Sequence, residues 1–255
     1  MYRLIFILLS VIVFSACRSD KQKDDFSFSE IKIARYDRLQ YEATVQNSFF
    51  SLQRMNTEFA QETRLLVEDV LDLGSVNMLD MNERLCTYFS DSILVHLMED
   101  VGEKFKDVSS IEENLTHGFK NLKKEIRELP VPKIYTQISA LNQSIVVGDS
   151  ILGISLDKYM GDDYPLYKKY YYANQRRSMS PEYIVPDCFT FYLLGQYPFL
   201  WLEGHRSLMD ILLYRGKIAW TVENVLEGDR SGKTALGYTK EEIKWCEQHE
   251  EELWK

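Results

Sequence analysis

Cys17 is the residue whose neighbours prescribe a covalent chemistry. It follows Met1-Tyr2-Arg3, an apolar run from Leu4 to Phe14 with Ser10 as its one polar member, and the small pair Ser15-Ala16. A run of about eleven residues is short for a membrane-spanning helix but suits the central region of a signal peptide. Small residues before the cysteine give a lipoprotein peptidase access to the scissile bond. The exposed Cys17 then carries a diacylglycerol, whose methylenes each add about 0.8 kcal/mol of membrane affinity. The competing readings are an uncleaved N-terminal membrane helix and a plain secretory signal with an incidental cysteine.

Other chemically suggestive residues fall short of a site. Gly228 to Thr234 (GDRSGKT) evokes a phosphate-binding loop, but three residues rather than four precede Gly-Lys-Thr, and Glu227 stands where the first glycine belongs. A loop one residue short cannot wrap phosphates in the same way, so no nucleotide partner is expected. His249-Glu250 would need a histidine at position 253 to make a zinc-binding HExxH, and that residue is Leu253. His96, His117 and His205 are scattered along the chain and read as surface or packed side chains rather than metal ligands. Cys86, Cys188 and Cys246 lack zinc-like spacing and read as apolar thiols rather than as a disulfide framework. No serine or cysteine nucleophile motif stands out. The expectation is therefore no catalytic residue, no metal and no cofactor.

The elements that would position any site come in three blocks. Residues 1–16 are the signal peptide, residues 17–25 a lipidated polar tether (CRSDKQKDD), and residues 26–255 a single domain. From about Tyr41 to Leu129 the pattern is helical throughout. Ser110 and Glu113 suggest a capping box, followed by the stripe Ile111, Leu115, Phe119, Leu122, Ile126 and Leu129. Pro130 and Pro132 end that helix. Lys133–Ser139, Ser144–Gly148 and Ile151–Leu156 predict a three-stranded meander. Helices resume over Pro165–Arg177 and over Pro181–Leu194, the latter with Ser180 as N-cap and Gly195 closing it. Two more run from about Ser207 to Leu226 and from Thr239, which forms a capping box with Glu242. The fold class is mainly α with a small β-sheet (α+β). The run Tyr167-Lys168-Lys169-Tyr170-Tyr171-Tyr172 reads as an amphipathic helix with tyrosines on the core and lysines in water, although a lipid-facing or partner-facing role is the alternative.

Removal of residues 1–16 takes away one base, Arg3, and no acid, so the formal charge moves from -9 to -10. That balance argues against a nucleic-acid partner.

Taken in order, the lipobox, Lys133-Ile-Tyr-Thr, Gly153-Ile-Ser-Leu-Asp157-Lys-Tyr-Met-Gly161, Met179-Ser-Pro-Glu-Tyr-Ile-Val-Pro186, Tyr214-Arg-Gly-Lys-Ile218 and Trp245-Cys-Glu-Gln-His-Glu250 resemble the GldB gliding-motility lipoproteins. The layout is also similar to predicted zinc peptidases, in which one helix carries HExxH and the next presents a glutamate ahead of a glycine. The resemblance thus implies a zincin-like peptidase scaffold lacking the zinc site. Here the first helix reads Tyr183 to Leu193 without histidine, and the position before Gly216 is Arg215. Asp187 and Arg215 are expected to refill the abandoned site as a charge pair on facing helices.

The function expected is that of a non-catalytic envelope lipoprotein, anchored to a membrane by lipid, facing the periplasm and acting through envelope proteins. The alternatives are a ligand-binding lipoprotein and a hydrolase with an unrecognised site.

Overall fold

The computed structural model describes residues 28–200, 207–227 and 237–253. Strand β1 (Ile33–Ala34) opens the described chain and is followed by α1 (Tyr36–Thr44), α2 (Phe49–Thr57) and α3 (Ala60–Arg64), which continues as a π-helix over Leu65–Val70. Then come α4 (Met81–Phe89), α5 (Ser92–Lys104) and α6 (Ser109–Glu125). The expected helical block is therefore broken into separate helices and preceded by a strand that periodicity did not reveal. Two residues are too few for an alternation to show.

Helix α6 buries Ile111, Leu115, Phe119 and Leu122, as the stripe predicts. Its beginning differs. Ser110 lies inside the helix, and the amide of Ser109 donates to Asp107 Oδ1 at 2.8 Å instead. Asp107 accepts as a charged carboxylate, which outcompetes a hydroxyl one turn further in. The helix also stops at Glu125, short of Leu129.

Strands β2 (Lys133–Gln137), β3 (Ile145–Val147) and β4 (Ile151–Ser155) lie where their β-branched residues placed them. Their pairing is not a meander. Among the described residues the sheet order is β1-β2-β4-β3, with β1, β2 and β4 parallel and β3 antiparallel to β4. The β3–β4 turn places Ser150 at φ 90, and β2 pairs with β4 across the chain that leaves for β3. Gly153 sits opposite Tyr135 in this register, and a Cβ there would lie 2.5 Å from Tyr135 Cζ. Only a glycine leaves room for the buried ring.

A 3-10 turn at Leu156–Lys158 leads to α7 (Pro165–Tyr170) and α8 (Ala173–Arg176), where one helix was expected. The break is at Tyr171, whose backbone is extended. Tyr167 is fully buried, as expected of a core tyrosine, whereas Tyr170 and Tyr172 are exposed.

A second 3-10 turn (Pro181–Tyr183) feeds α9 (Ile184–Gln196); Ser180 supplies no side-chain cap, and Gly195 lies within the helix. Pro186 is accommodated because it falls in the first turn, where its missing amide has no intrahelical partner to lose. Helix α10 (Leu208–Val225) starts with a capping box between Ser207 and Asp210. Helix α11 (Lys240–Gln248) starts with the predicted Thr239–Glu242 box, and α12 (Glu250–Leu253) follows. One hydrophobic cluster runs from Ile31 to Val225. Its tightest crossing is between α6 and α9, where a Cβ on Gly118 would meet the Phe189 ring at 2.5 Å.

Candidate functional site

The parallel strands β2 and β4 end side by side, and the chain beyond each of them is polar and buried. Ser139, just past β2, and Asp157, just past β4, are both fully buried. Asp157 accepts from the Ser139 amide at 2.9 Å, from Ser139 Oγ at 3.1 Å and from the Leu141 amide at 2.6 Å. Between those amides the backbone makes two consecutive left-handed residues, Ala140 at φ 53 and Leu141 at φ 67. Such a conformation costs a non-glycine residue free energy and persists only where neighbours hold it. Here the carboxylate holds it. Burial pushes the Asp157 pKa up, and the amide and hydroxyl donors pull it back.

Further groups secure the same loop. Tyr171 Oη donates to the Leu141 carbonyl at 3.0 Å, and Lys158 Nζ donates to that carbonyl at 3.2 Å and to Tyr171 Oη at 3.1 Å. The turn after β4 thereby places Tyr159, which is 1% exposed, against α9.

Tyr159 Oη donates to Asp187 Oδ2 at 2.8 Å. Asp187 stands in the first turn of α9, and burial raises its pKa to about 6 while the tyrosine hydrogen bond opposes that rise. The next residue, Cys188, is fully buried, and burial together with the neighbouring Asp187 charge pushes its thiol pKa up. Such a thiol is a packed apolar group rather than a nucleophile. Cys86 and Cys246 are half-buried, and all three are free. Thr190 Oγ1, one turn along α9 from Asp187, is buried without a hydrogen-bond partner.

The anticipated Asp187–Arg215 pair is not formed. Asp187 turns to Tyr159, and Arg215 is exposed on α10 with no ion pair to Asp187 within 4.0 Å. The physical reason is that Tyr159 satisfies the carboxylate from within the core, leaving an arginine to keep its own hydration. Tyr183, just before α9, is buried. Catalytic zinc needs three protein ligands and an open position, and these residues supply a single carboxylate already hydrogen-bonded. Among the described residues no group of three or more His, Cys, Asp or Glu side chains is placed to hold a metal ion.

The remaining candidates are scattered. His96 Nδ1 lies 2.6 Å from the Ser92 carbonyl, and His117 Nε2 lies 3.5 Å from Glu227 Oε2 in an exposed contact. A cleft of about 610 Å³ opens between the end of α5, the start of α6 and the start of α9, lined in part by Lys104, Ser110, Asn114 and Glu182. Lys104 Nζ is engaged by the Met160 carbonyl at 2.9 Å. Cys17, His205 and the Gly228–Thr234 segment lie outside the described residues, as does the whole leader. No helix among the described residues is long and apolar enough to cross a membrane.

Sequence reasoning gave no role to Ser139, Asp157 or Tyr159. The signal available was the Leu-Asp-Lys-Tyr turn closing β4, where an acid and an aromatic follow an apolar strand directly.

A family model described as gliding motility protein GldB matches residues 18–255 of the chain. No curated protein and no solved structure matches it.

Proposed function

The chain belongs to the GldB family of gliding motility proteins, a lipoprotein family by the name of its model, and from that premise we propose a periplasm-facing envelope lipoprotein that works by binding protein partners rather than by catalysis. Anchoring is assigned to Cys17, since the family match begins at the residue after it and a signal-like apolar run precedes it.

The observation that carries the non-catalytic reading is the state of the two helices α9 and α10. Where a peptidase of similar layout would converge its ligands, this chain has a tyrosine-capped carboxylate and a solvent-facing guanidinium. Neither is placed to activate water, and function is argued from the site rather than from the scaffold. The cleft beside α6 supports a second reading, a lipoprotein that carries a small ligand, because its size is in the range of ligand pockets.

The test is genetic and chemical. In a gliding host lacking its own copy, Cys17→Ala is expected to lose both radioactive fatty-acid label and colony spreading. Asp187→Asn is expected to retain both. Label on the Cys17 variant would overturn the anchor. Loss of spreading by a normally abundant, folded Asp187→Asn protein would overturn the non-catalytic reading.

A further inference from the structure

Helix α10 presents an apolar face that the fold leaves uncovered. Its buried side consists of Ile218, Ala219, Val222 and Val225. Away from Ile218, Val222 and Val225 the helix carries Leu208 at 71% exposure, Met209 at 44%, Leu212 at 46%, Leu213 at 55% and Trp220 at 68%, with the buried Ala219 near the margin of their arc. At 3.6 residues per turn these five fall within about 140° of the helix circumference, with Gly216 among them. A Cβ added to Gly216 would meet nothing within 4 Å. Exposed apolar residues gathered on one face in this way differ from the single scattered ones of an ordinary surface and mark an interaction site.

We propose that this face is a second membrane contact, seated in the interfacial layer of the bilayer to which the lipidated N-terminus is held. The inference rests on the lipid anchor in the proposed function and adds where the domain touches the membrane.

Three observations select a lipid surface over another occupant. The first is reach. Residues 18–27 separate Cys17 from the described domain, and ten residues extend at most about 35 Å. A domain of this size is about 45 Å across. It is therefore never more than its own width from the bilayer, and a large apolar face on it meets lipid at high effective concentration.

The second is the charge at the margins. Arg215 flanks the apolar arc on one side and Lys217 on the other, and both are exposed. In a chain of net charge -9, two cations bracketing one apolar face place positive charge where anionic headgroups would lie, and long basic side chains reach headgroups while their stems stay in the apolar layer. The acid Glu223 joins this side only beyond Trp220, in the last turn, so the inserted part is the stretch from Leu208 to Trp220.

The third is the residue type at the centre. Tryptophan favours the membrane–water boundary, where its ring is buried in the acyl margin and its N–H remains wet.

The experiment uses the mature lipidated protein, reconstituted into phosphatidylcholine–phosphatidylglycerol vesicles with or without brominated acyl chains. The chain has four tryptophans, so for comparable emitters bromine is expected to remove up to about one quarter of the emission through Trp220. Trp220→Phe should lose that share of the quenching. Leu212→Glu combined with Leu213→Glu should abolish it while leaving the circular dichroism unchanged, since both leucines are exposed. Equal quenching in wild-type and Trp220→Phe proteins would overturn the proposal, as would quenching that survives the glutamate pair. Emission that follows protein-to-lipid ratio rather than bromine content would overturn it in favour of a second copy on this face. Should Cys17→Ala retain fatty-acid label, the anchor fails; should labelled protein show no quenching of Trp220, this inference alone fails.

Discussion

Asp157 and Asp187 are both withdrawn from water, and the same short turn after β4 reaches both, yet they are held in opposite ways. Asp157 is surrounded by two amides and a hydroxyl that all point at its oxygens. Asp187 has a single phenol. A buried charge is tolerated when donors replace its hydration, and it becomes a burden when they do not. The first carboxylate is accordingly a structural tie between two strand ends. Burial raises the pKa of both, and the second, with only one donor to oppose that rise, reaches about 6.

The largest effect expected from this contrast is at the tie. Asp157→Ala leaves two amides without their acceptor and removes the tie that acts on the left-handed pair alongside Tyr171 and Lys158, so a loss of about 4 kcal/mol in urea unfolding is expected. A loss under about 1 kcal/mol would show that the loop holds its shape unaided.

Asp187 should act in the other direction. Its folded pKa lies above the ordinary aspartate value of 3.8, so the folded state binds more protons between about pH 4 and pH 6. Stability is then greatest below pH 4, falls as pH rises through that window and is level above it. A shift of this size corresponds to at most about 3 kcal/mol. Asp187→Asn keeps an acceptor for Tyr159, and it is expected to flatten the slope and to be the more stable protein at pH 7. Unfolding curves for both proteins at pH 4, 5, 6 and 7 decide it. Parallel pH profiles would mean that Asp187 is solvated like a surface acid.

Gly153→Ala tests the strand that delivers Asp157 and Tyr159. The new methyl group must displace the buried Tyr135 ring, and overpacking of this kind costs about 2 kcal/mol. The cost should shrink when Tyr135→Leu is added, as a double-mutant cycle measures. Strict additivity would remove the close approach as the reason for the glycine.

The smallest effect belongs to Arg215. Being exposed and unpaired with Asp187, Arg215→Ala is expected to change stability by less than about 0.5 kcal/mol and to add to any Asp187 change without coupling. A coupling above about 1 kcal/mol would restore the charge pair that the structure lacks.

How much of this was legible in the sequence depends on how local each cause is. The stripe of α6 and the Thr239–Glu242 box lie within a few residues of their partners and were readable. The strand positions were readable as well, but alternation is identical for parallel and antiparallel pairing, so the meander was an equally good fit to the same pattern. What excludes it is the left-handed Ala140-Leu141 pair, tied by an acid 16 residues beyond Leu141. The break at Tyr171 likewise comes from Lys158 and Leu141, outside the helix it interrupts. The sequence offers Asp187 as a candidate for a pair with Arg215, but its hydrogen-bond partner lies 28 residues back on another element, a distance at which spacing carries no information.

The parallel pairing of β1 with β2 has a consequence for the order in which the molecule can be completed. Ile33 lies against Ile134 and Ala34 against Tyr135, and the Ile33 amide donates to Glu112 Oε1 at 2.8 Å. Every partner of the first strand is thus encoded 79 or more residues later. In a chain delivered amino end first, those two residues have nothing to pair with until the far side of α6 and all of β2 have arrived, and closing a loop of that length costs about 4 kcal/mol in chain entropy. The first strand therefore stays outside the finished sheet through most of the chain's delivery, and the edge of the sheet closes only once β2 has been supplied.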